Sequence, residues 1–229
     1  MCGRFSLSTP PTEIANHFGL DEEPVLEARF NVAPGQSIAT VSGSGEDNRP
    51  VLSLRRWGLV PSWAKDSKIG NRLINARAET VAEKPSFRSA LRRRRCLVPA
   101  DGFYEWAGSK SPKQPYFIGL GGRALFAFAG LWERWSDPEG EPLESCTLLT
   151  TAAAEHLRAV HHRMPVIVEP ADYGHWLDPA IKETDLVSPV IDRNRGSALD
   201  FYPVSQYVND VRHDGPRCLD AIAGQPGFF

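Results

Sequence analysis

The chain has 229 residues, 41% apolar and 10% aromatic, with a formal charge of -2, a composition that suits a folded globular protein able to bury a sizeable core. No window approaches about eighteen uninterrupted apolar residues and no apolar segment follows Arg4, so neither a membrane span nor a secretory leader is expected and the chain is placed in the cytoplasm or nucleoid. Four scattered cysteines (Cys2, Cys96, Cys146, Cys218) with no CxxC pair argue for reduced thiols, against a disulfide framework, and against a metal site.

The chain opens Met1-Cys2-Gly3-Arg4-Phe5, expected as an extended piece tucked against another element. Thr9 reads as a cap, with Pro10 and Pro11 in the first turn of a helix whose Ile14, Ala15 and Phe18 share one face until Gly19 ends it. Acidic loop follows over 21–27, then Arg29 to Gly35 closing in a turn, and a Gly/Ser/Asn-rich segment, Ser42 to Pro50, that reads as a hairpin loop. Val51 to Trp57 reads as a strand, and Gly58 to Trp63 as a turn. Pro85 to Arg95 reads as a helix with Phe87, Ala90 and Leu91 inward and its arginines outward. Short runs at Cys96–Val98, Phe103–Trp106, Tyr116–Leu120, Leu125–Trp132 and Cys146–Thr151 make a β-rich middle. Thr151 to Val160 has helix-forming composition, stopped by Pro165. Val166–Val168 and Phe201–Ser205 read as strands, Pro170–Leu177 as a helix, and Gly215–Phe229 as a tail that frays. With no repeat or linker to divide it, the chain is expected to fold as one α+β domain, 1–229, with a mostly antiparallel curved sheet or partly closed β-barrel and flanking helices.

Net charge conceals an asymmetry. Between Pro50 and Pro115 fourteen Lys or Arg stand against five Asp or Glu, about +9, which leaves about -11 elsewhere. Such a patch suits a phosphate backbone, and Arg92 to Arg95 within it equally suits a solvated helix face. Trp57, Trp63, Tyr104 and Trp106 fall in the same region, and arginines among stacking rings are what a single-stranded nucleic acid site requires, with core packing as the competing explanation for each ring.

Removal of Met1 would leave Cys2 as a 1,2-aminothiol. Its amine condenses with an aldehyde to a Schiff base, and its sulfur then closes a thiazolidine ring on the same carbon. The ordinary values, ~7.7–8.0 for the amine and ~8.5 for the thiol, leave a usable minority of each nucleophilic at neutral pH. Glu105, between aromatics in Asp101 to Trp106, gains a proton-transfer role if burial raises its pKa, or faces solvent beside a lysine. His161 and His162 are candidate acids or bases, or structural histidines. Asn75 offers an amide to a ligand. No GxGxxG, P-loop, HExxH or GxSxG is present. Cys2 with His161 also makes a thiol nucleophile and base, so acyl transfer stays open.

Six ordered motifs, Met1-Cys2-Gly3-Arg4-Phe5, Asn31-Val32-Ala33-Pro34, Trp57 to Trp63, Asn75-Ala76-Arg77-Ala78-Glu79-Thr80, Pro99 to Trp106 and His161-His162-Arg163-Met164-Pro165, resemble those of the SRAP (SOS-response-associated peptidase) family over about residues 1–208. The family includes proteins that crosslink themselves to abasic sites in single-stranded DNA. The resemblance implies an abasic-site sensor of the SRAP fold in which Cys2 carries both nucleophiles, Glu105 is the acid/base carboxylate, His161 assists sugar opening and Schiff-base formation, and Asn75 positions the sugar. It implies phosphate contacts for Arg4, Arg77 and Arg163, a DNA groove lined by Trp63 and Trp106, and Asn31 and Pro34 near the reacting centre. Where a further basic residue is expected the chain has Pro85, with Lys84 or Arg88 as substitutes; Arg92 to Arg95 lie outside the motifs, as a solvated or peripheral face. The implied partner is abasic single-stranded DNA, met by a monomer without cofactor, metal or membrane. A cysteine peptidase acting through Cys2 and a non-covalent single-stranded DNA module remain the alternatives.

Overall fold

The middle of the chain forms long strands because its apolar residues alternate or run continuously between turns, and the computed structural model shows how they close. It describes residues 2–44, 49–109, 111–193 and 195–222. In chain order the elements are β1 (Phe5–Leu7), α1 (Pro11–Phe18), β2 (Arg29–Val32), β3 (Ser37–Ser44), β4 (Arg49–Trp57), β5 (Asn75–Arg77), α2 (Arg88–Arg93), β6 (Arg95–Ala100), β7 (Gly102–Ala107) and β8 (Gln114–Leu120). They continue with β9 (Phe126–Ser136), β10 (Pro142–Ala152), β11 (Arg163–Pro165), β12 (Ile167–Val168), α3 (Tyr173–Leu177), α4 (Thr184–Asp192) and β13 (Leu199–Pro203).

Five strands make a closed barrel. β3 pairs antiparallel with β4 and β6, β6 with β9, and β9 with β10, and the ring closes where β10 runs parallel to β4 at Cys146 opposite Trp57. Closure leaves no free edge among these strands. A second, wholly antiparallel sheet has the order β13-β8-β7-β1-β2. Its fourth strand, β1, sends Phe5 into the barrel's core, edge-on to Trp57 at 5.3 Å and to Phe128 at 5.9 Å between ring centroids. The two layers therefore share one main core, while a smaller cluster of Tyr104, Phe117, Tyr202, Val204, Val208 and Cys218 fills the other face of the second sheet. No helix among the described residues is long and apolar enough to cross a membrane.

Several expected elements differ. α1 buries Ile14, Ala15 and Phe18 and ends at a left-handed Gly19, as the pattern predicts, but Thr9 is not its cap: Pro10 is, and the Thr9 N–H donates to Asp101 Oδ2 at 3.1 Å. The hairpin expected over Ser42 to Pro50 is mostly strand, its ladder reaching Ser44 opposite Arg49, and residues 45–48 lie outside the described residues. The expected helix at Thr151 to Val160 is overridden, because β10 continues to Ala152 opposite Arg163 and only a 3-10 turn, Glu155–Ala159, follows. Pro165 accordingly ends a strand. Part of the tail is anchored by a bridge from Val204 to Ala221 and a buried Cys218, and 223–229 lie outside the described residues.

The arginine run is the largest departure. Of Arg92 to Arg95 only the first two are exposed. Arg94 pairs with the buried Glu133 at 2.8 Å, and Arg95, 5% exposed, donates to the main-chain carbonyls of Leu91, Trp176 and Asp178. A buried guanidinium with three acceptors is satisfied, so Arg95 ties α3 to β6 instead of meeting solvent.

The sheet is packed closely at the start of β7, where a Cβ on Gly102 would fall 1.9 Å from Phe117 Cζ. Gly102→Ala is expected to lower stability by about 1–3 kcal/mol through overpacking, measured by urea unfolding; an unchanged midpoint would contradict the packing described.

Candidate active site

Strand alternation places the first group. β7 lies between two cores, so Phe103 faces the barrel and Tyr104 the smaller cluster. By the same period of two, Glu105 shares the face of Phe103, and Trp106 that of Tyr104. Glu105 is thereby 4% exposed. Burial disfavours its charged form and raises its pKa above the ordinary carboxylate value.

β1 pairs with β7 on one side and β2 on the other, and Tyr104 N–H donates to Arg4 O at 2.9 Å. This lays the residues before Phe5 alongside β7, with Cys2 fully buried. Asn75, at the start of β5, donates its amide Nδ2 to the Cys2 carbonyl at 2.7 Å, while its Oδ1 is buried without a hydrogen-bond partner. Burial, reinforced by the Glu105 carboxylate, pushes the Cys2 thiol far above its ordinary value. Ordinary values would leave a minority of the thiol ionised at neutral pH; burial here favours its protonated form.

His161 follows the 3-10 turn Glu155–Ala159 and is fixed by its N–H to Leu157 O at 3.0 Å. Its Nδ1 lies 3.8 Å from Glu105 Oε1, beyond a direct hydrogen bond, and 3.0 Å and 3.1 Å from the N and O of Arg163. That ring nitrogen accepts from the N–H when bare and donates to the carbonyl when protonated, so either state has a partner. Burial lowers the His161 pKa, and the Arg163 carbonyl partly opposes this. His162 is exposed and stacks on His161 with centroids 4.4 Å apart. Burial thus moves Glu105 up and His161 down, toward each other, which eases passage of a proton between them. Cys2, Asn75, Glu105 and His161 are brought together.

The remaining expected residues are distributed differently. Arg77 is exposed and shares its strand face with Asn75, two residues before it. Arg4 lies half-buried with its guanidinium 5.6 Å from the Trp106 ring centroid, and donates to Asn31 Oδ1 at 2.7 Å and Val208 O at 3.0 Å. Trp106 is half-buried, its indole N–H on Asn209 Oδ1 at 2.7 Å. Asn31 is fully buried, and its amide donates to the carbonyls of Val208, Asp210 and His213 at 3.1, 3.1 and 2.7 Å. Asn31, expected near the reacting centre, has its amide bonded inside the protein, where it straps residues 208–213 beside Arg4. Pro34 is exposed in the turn after β2. Trp63, 58% exposed, lines a surface hollow of about 500 Å³ with Lys65, Lys68 and Arg72. Trp57 and Tyr104 are core residues. Arg163, expected on a phosphate, is held by Glu79.

Sequence reasoning missed the C-terminal strap. Asp214 accepts from the N–H groups of Phe30 and Asn31 at 2.6 and 2.8 Å and pairs with Arg29. The Asn31 motif contained the signal, because an asparagine in an otherwise apolar strand end needs partners for its amide. Among the described residues no group of three or more His, Cys, Asp or Glu is placed to hold a metal ion.

A sequence model described as SOS response associated peptidase (SRAP) matches residues 1–211. The abasic site processing protein YoqW of Bacillus subtilis is 42% identical over 225 residues, covering 96% of this chain and 100% of that protein. The abasic site processing protein HMCES of Gallus gallus is 36% identical over 210 residues, covering 80% of this chain and 61% of that protein. Among solved structures, a protein from Bacteroides thetaiotaomicron superposes with a TM-score of 0.83 at 26% identity, covering 96% of this chain and all of the other.

The raised Glu105 pKa has a thermodynamic consequence. A group whose folded pKa is raised favours folding while protonated and loses that contribution as pH rises from its unfolded value through its folded one. Glu105→Gln, which mimics the protonated acid, is therefore expected to be more stable than wild type at pH 7 and equal to it at pH 4, read from urea midpoints at both; a stability difference independent of pH would contradict the burial argument.

Proposed function

The chain belongs to the SOS response associated peptidase family, and from that premise we propose that it senses abasic sites in single-stranded DNA and captures them covalently through Cys2. The observation that carries the reading is that Asn75 anchors the Cys2 main chain directly beside two groups whose pKa values burial moves toward each other. A ring-opened abasic deoxyribose carries an aldehyde, the electrophile a 1,2-aminothiol captures.

The reaction begins only when Met1 is gone and Cys2 bears the free amine. His161, neutral at working pH, takes the proton of the anomeric hydroxyl as the bond from C1′ to the ring oxygen breaks, and returns that proton to the ring oxygen, leaving the open-chain aldehyde. The Cys2 amine adds to the aldehyde carbon, and Glu105 in its acid form protonates the resulting hydroxyl, so that one water leaves and an imine remains. The thiol then adds to the imine carbon and its proton ends on the imine nitrogen, closing a thiazolidine. No thiolate is needed before the last step, which fits a sulfur that burial keeps protonated. The orphaned Asn75 Oδ1 is free to accept from a sugar hydroxyl. Arg4 and Arg77 hold flanking phosphates, Trp63, Trp106 and Pro34 border the path of the strand, and Asn31 acts by holding Arg4. The protein works as a monomer without cofactor, and the adduct shields the lesion.

A peptidase reading uses the same Cys2 sulfur with His161 as base. The geometry favours aldehyde capture, since His161 Nδ1 faces the Arg163 main chain and the thiol is not ionised. Cys2 is still the nucleophile for autocatalytic loss of Met1. If ring closure is blocked, the imine is set for β-elimination and strand scission.

Incubation with an abasic single-stranded oligonucleotide is expected to give a heat-stable shifted band whose intact mass equals the two reactants less Met1 and one water. Cys2→Ala abolishes it, and Cys2→Ser, which keeps the amine, gives only a labile adduct or a nicked strand. An unaltered yield in Cys2→Ala would sink the proposal, and turnover of an unrelated peptide with dependence on Cys2 would favour the peptidase.

A further inference from the structure

We propose that Glu79 is a positioning residue that locks the Asn75 and His161 arms of the site to each other through the guanidinium of Arg163, an inference that rests on the abasic-site reading above. Glu79 lies in the 3-10 turn Ala78–Thr80, immediately after β5 and its Asn75. Arg163 begins β11, two residues after His161. The carboxylate and guanidinium meet as a bidentate fork, Nη1 to Oε1 at 2.6 Å and Nη2 to Oε2 at 3.0 Å. Nη2 also reaches Thr150 O at 2.6 Å and Thr150 Oγ1 at 3.2 Å. β10 is the strand crossed by this brace, since Thr150 pairs with Arg77 of β5 on one side and Pro165 of β11 on the other.

A planar fork with two parallel bonds fixes orientation as well as distance. Fixing the Arg163 side chain fixes its main chain, and that main chain supplies both the N–H and the C=O that flank His161 Nδ1. Glu79 thus sets, at one remove, the ring position of the histidine and its distance from the residue that anchors Cys2. Glu105, His162 and Arg163 lie against the His161 ring, and the charge of Lys113 acts on it from farther off; Glu79 acts through Arg163.

A rival reading makes Arg163 a phosphate contact. Both of its Nη atoms already bond Glu79, and its side chain is 11% exposed while that of Glu79 is 48% exposed, so a phosphate would have to displace the carboxylate. The two readings predict opposite effects of removing Glu79. If it positions, Glu79→Ala slows chemistry and leaves DNA affinity alone; if it merely blocks Arg163, the same change tightens DNA binding without slowing the reaction.

The experiment is single-turnover crosslinking at saturating abasic oligonucleotide, as a function of pH, with the affinity for the same oligonucleotide lacking the lesion measured by fluorescence anisotropy. For Glu79→Ala the saturated rate is expected to fall roughly ten- to a hundredfold, the scale of displacing a reacting group by up to about 1 Å. The rate's pH profile moves, affinity for intact DNA stays within about twofold, and Glu79→Gln, which keeps an acceptor for one arm of the fork, recovers part of the loss. A saturated rate equal to wild type, or a loss that Glu79→Gln does not relieve and that leaves the pH profile in place, overturns the inference. Failure of the abasic-site reading is distinguishable, because the wild-type protein would then form no adduct at all.

Discussion

Everything at this site depends on a three-residue strand being held along both edges. Chain termini ordinarily fray, yet β1 is the fourth of five strands, with β7 and β2 as neighbours, and Phe5 is buried edge-on between Trp57 and Phe128. Burying one phenylalanine side chain is worth about 1.5–3 kcal/mol, enough to hold a short strand that its few ladder hydrogen bonds alone would not. Ser6 and Ser8 add hydrogen bonds to the buried Asp101. Cys2, the residue proposed to react, needs no loop or lid to position it, because it lies just before a strand that is held along both edges.

That rigidity has an electrostatic cost, which falls on the groups proposed to do chemistry. Desolvation is the first cause of the shifts at Cys2, Glu105 and His161. It raises the two acids and lowers the base, so every shift favours the uncharged form. Shifts that all favour the uncharged forms suit the reaction proposed above, in which protons pass between these groups. Stability is forgone at Glu105 for this purpose, a common trade where a fold supports a reaction.

The sequence made the local features legible and the non-local ones not. Alternation and turn residues located most strands between 96 and 150, and the apolar face of α1 identified Ile14, Ala15 and Phe18, because each is decided by neighbours in sequence. The chemistry of Cys2 was readable because it follows from two functional groups on adjacent carbons. The helix expected after Thr151 failed for the opposite reason. Its alanines favour helix only weakly, by tenths of a kcal/mol per residue, whereas β10 gains a full ladder to β11. Barrel closure through the parallel contact of Cys146 with Trp57, and the strap that Asn31 throws over residues 208–213, join positions far apart in the chain; no periodicity records them.

The positive region illustrates how a sequence count misleads about an interface. Its excess of about +9 suggests a broad electrostatic grip, but several of those charges are spent internally. Arg55 is buried against Glu144 and over Trp132, Arg94 is on Glu133, and Arg95 is inside on main-chain carbonyls. Lys65, Lys68, Arg72, Arg77, Lys84, Arg88, Arg92, Arg93 and Lys113 remain exposed. Each phosphate neutralised on a single strand contributes about -0.7 to the slope of log affinity against log salt, so a handful of contacts gives a grip that physiological salt weakens readily. Weak, reversible contact along intact DNA is compatible with a covalent step reserved for an aldehyde. On this account discrimination between lesion and normal backbone resides in the chemistry of Cys2 and its neighbours, and the charged surface serves to bring the strand within reach of them.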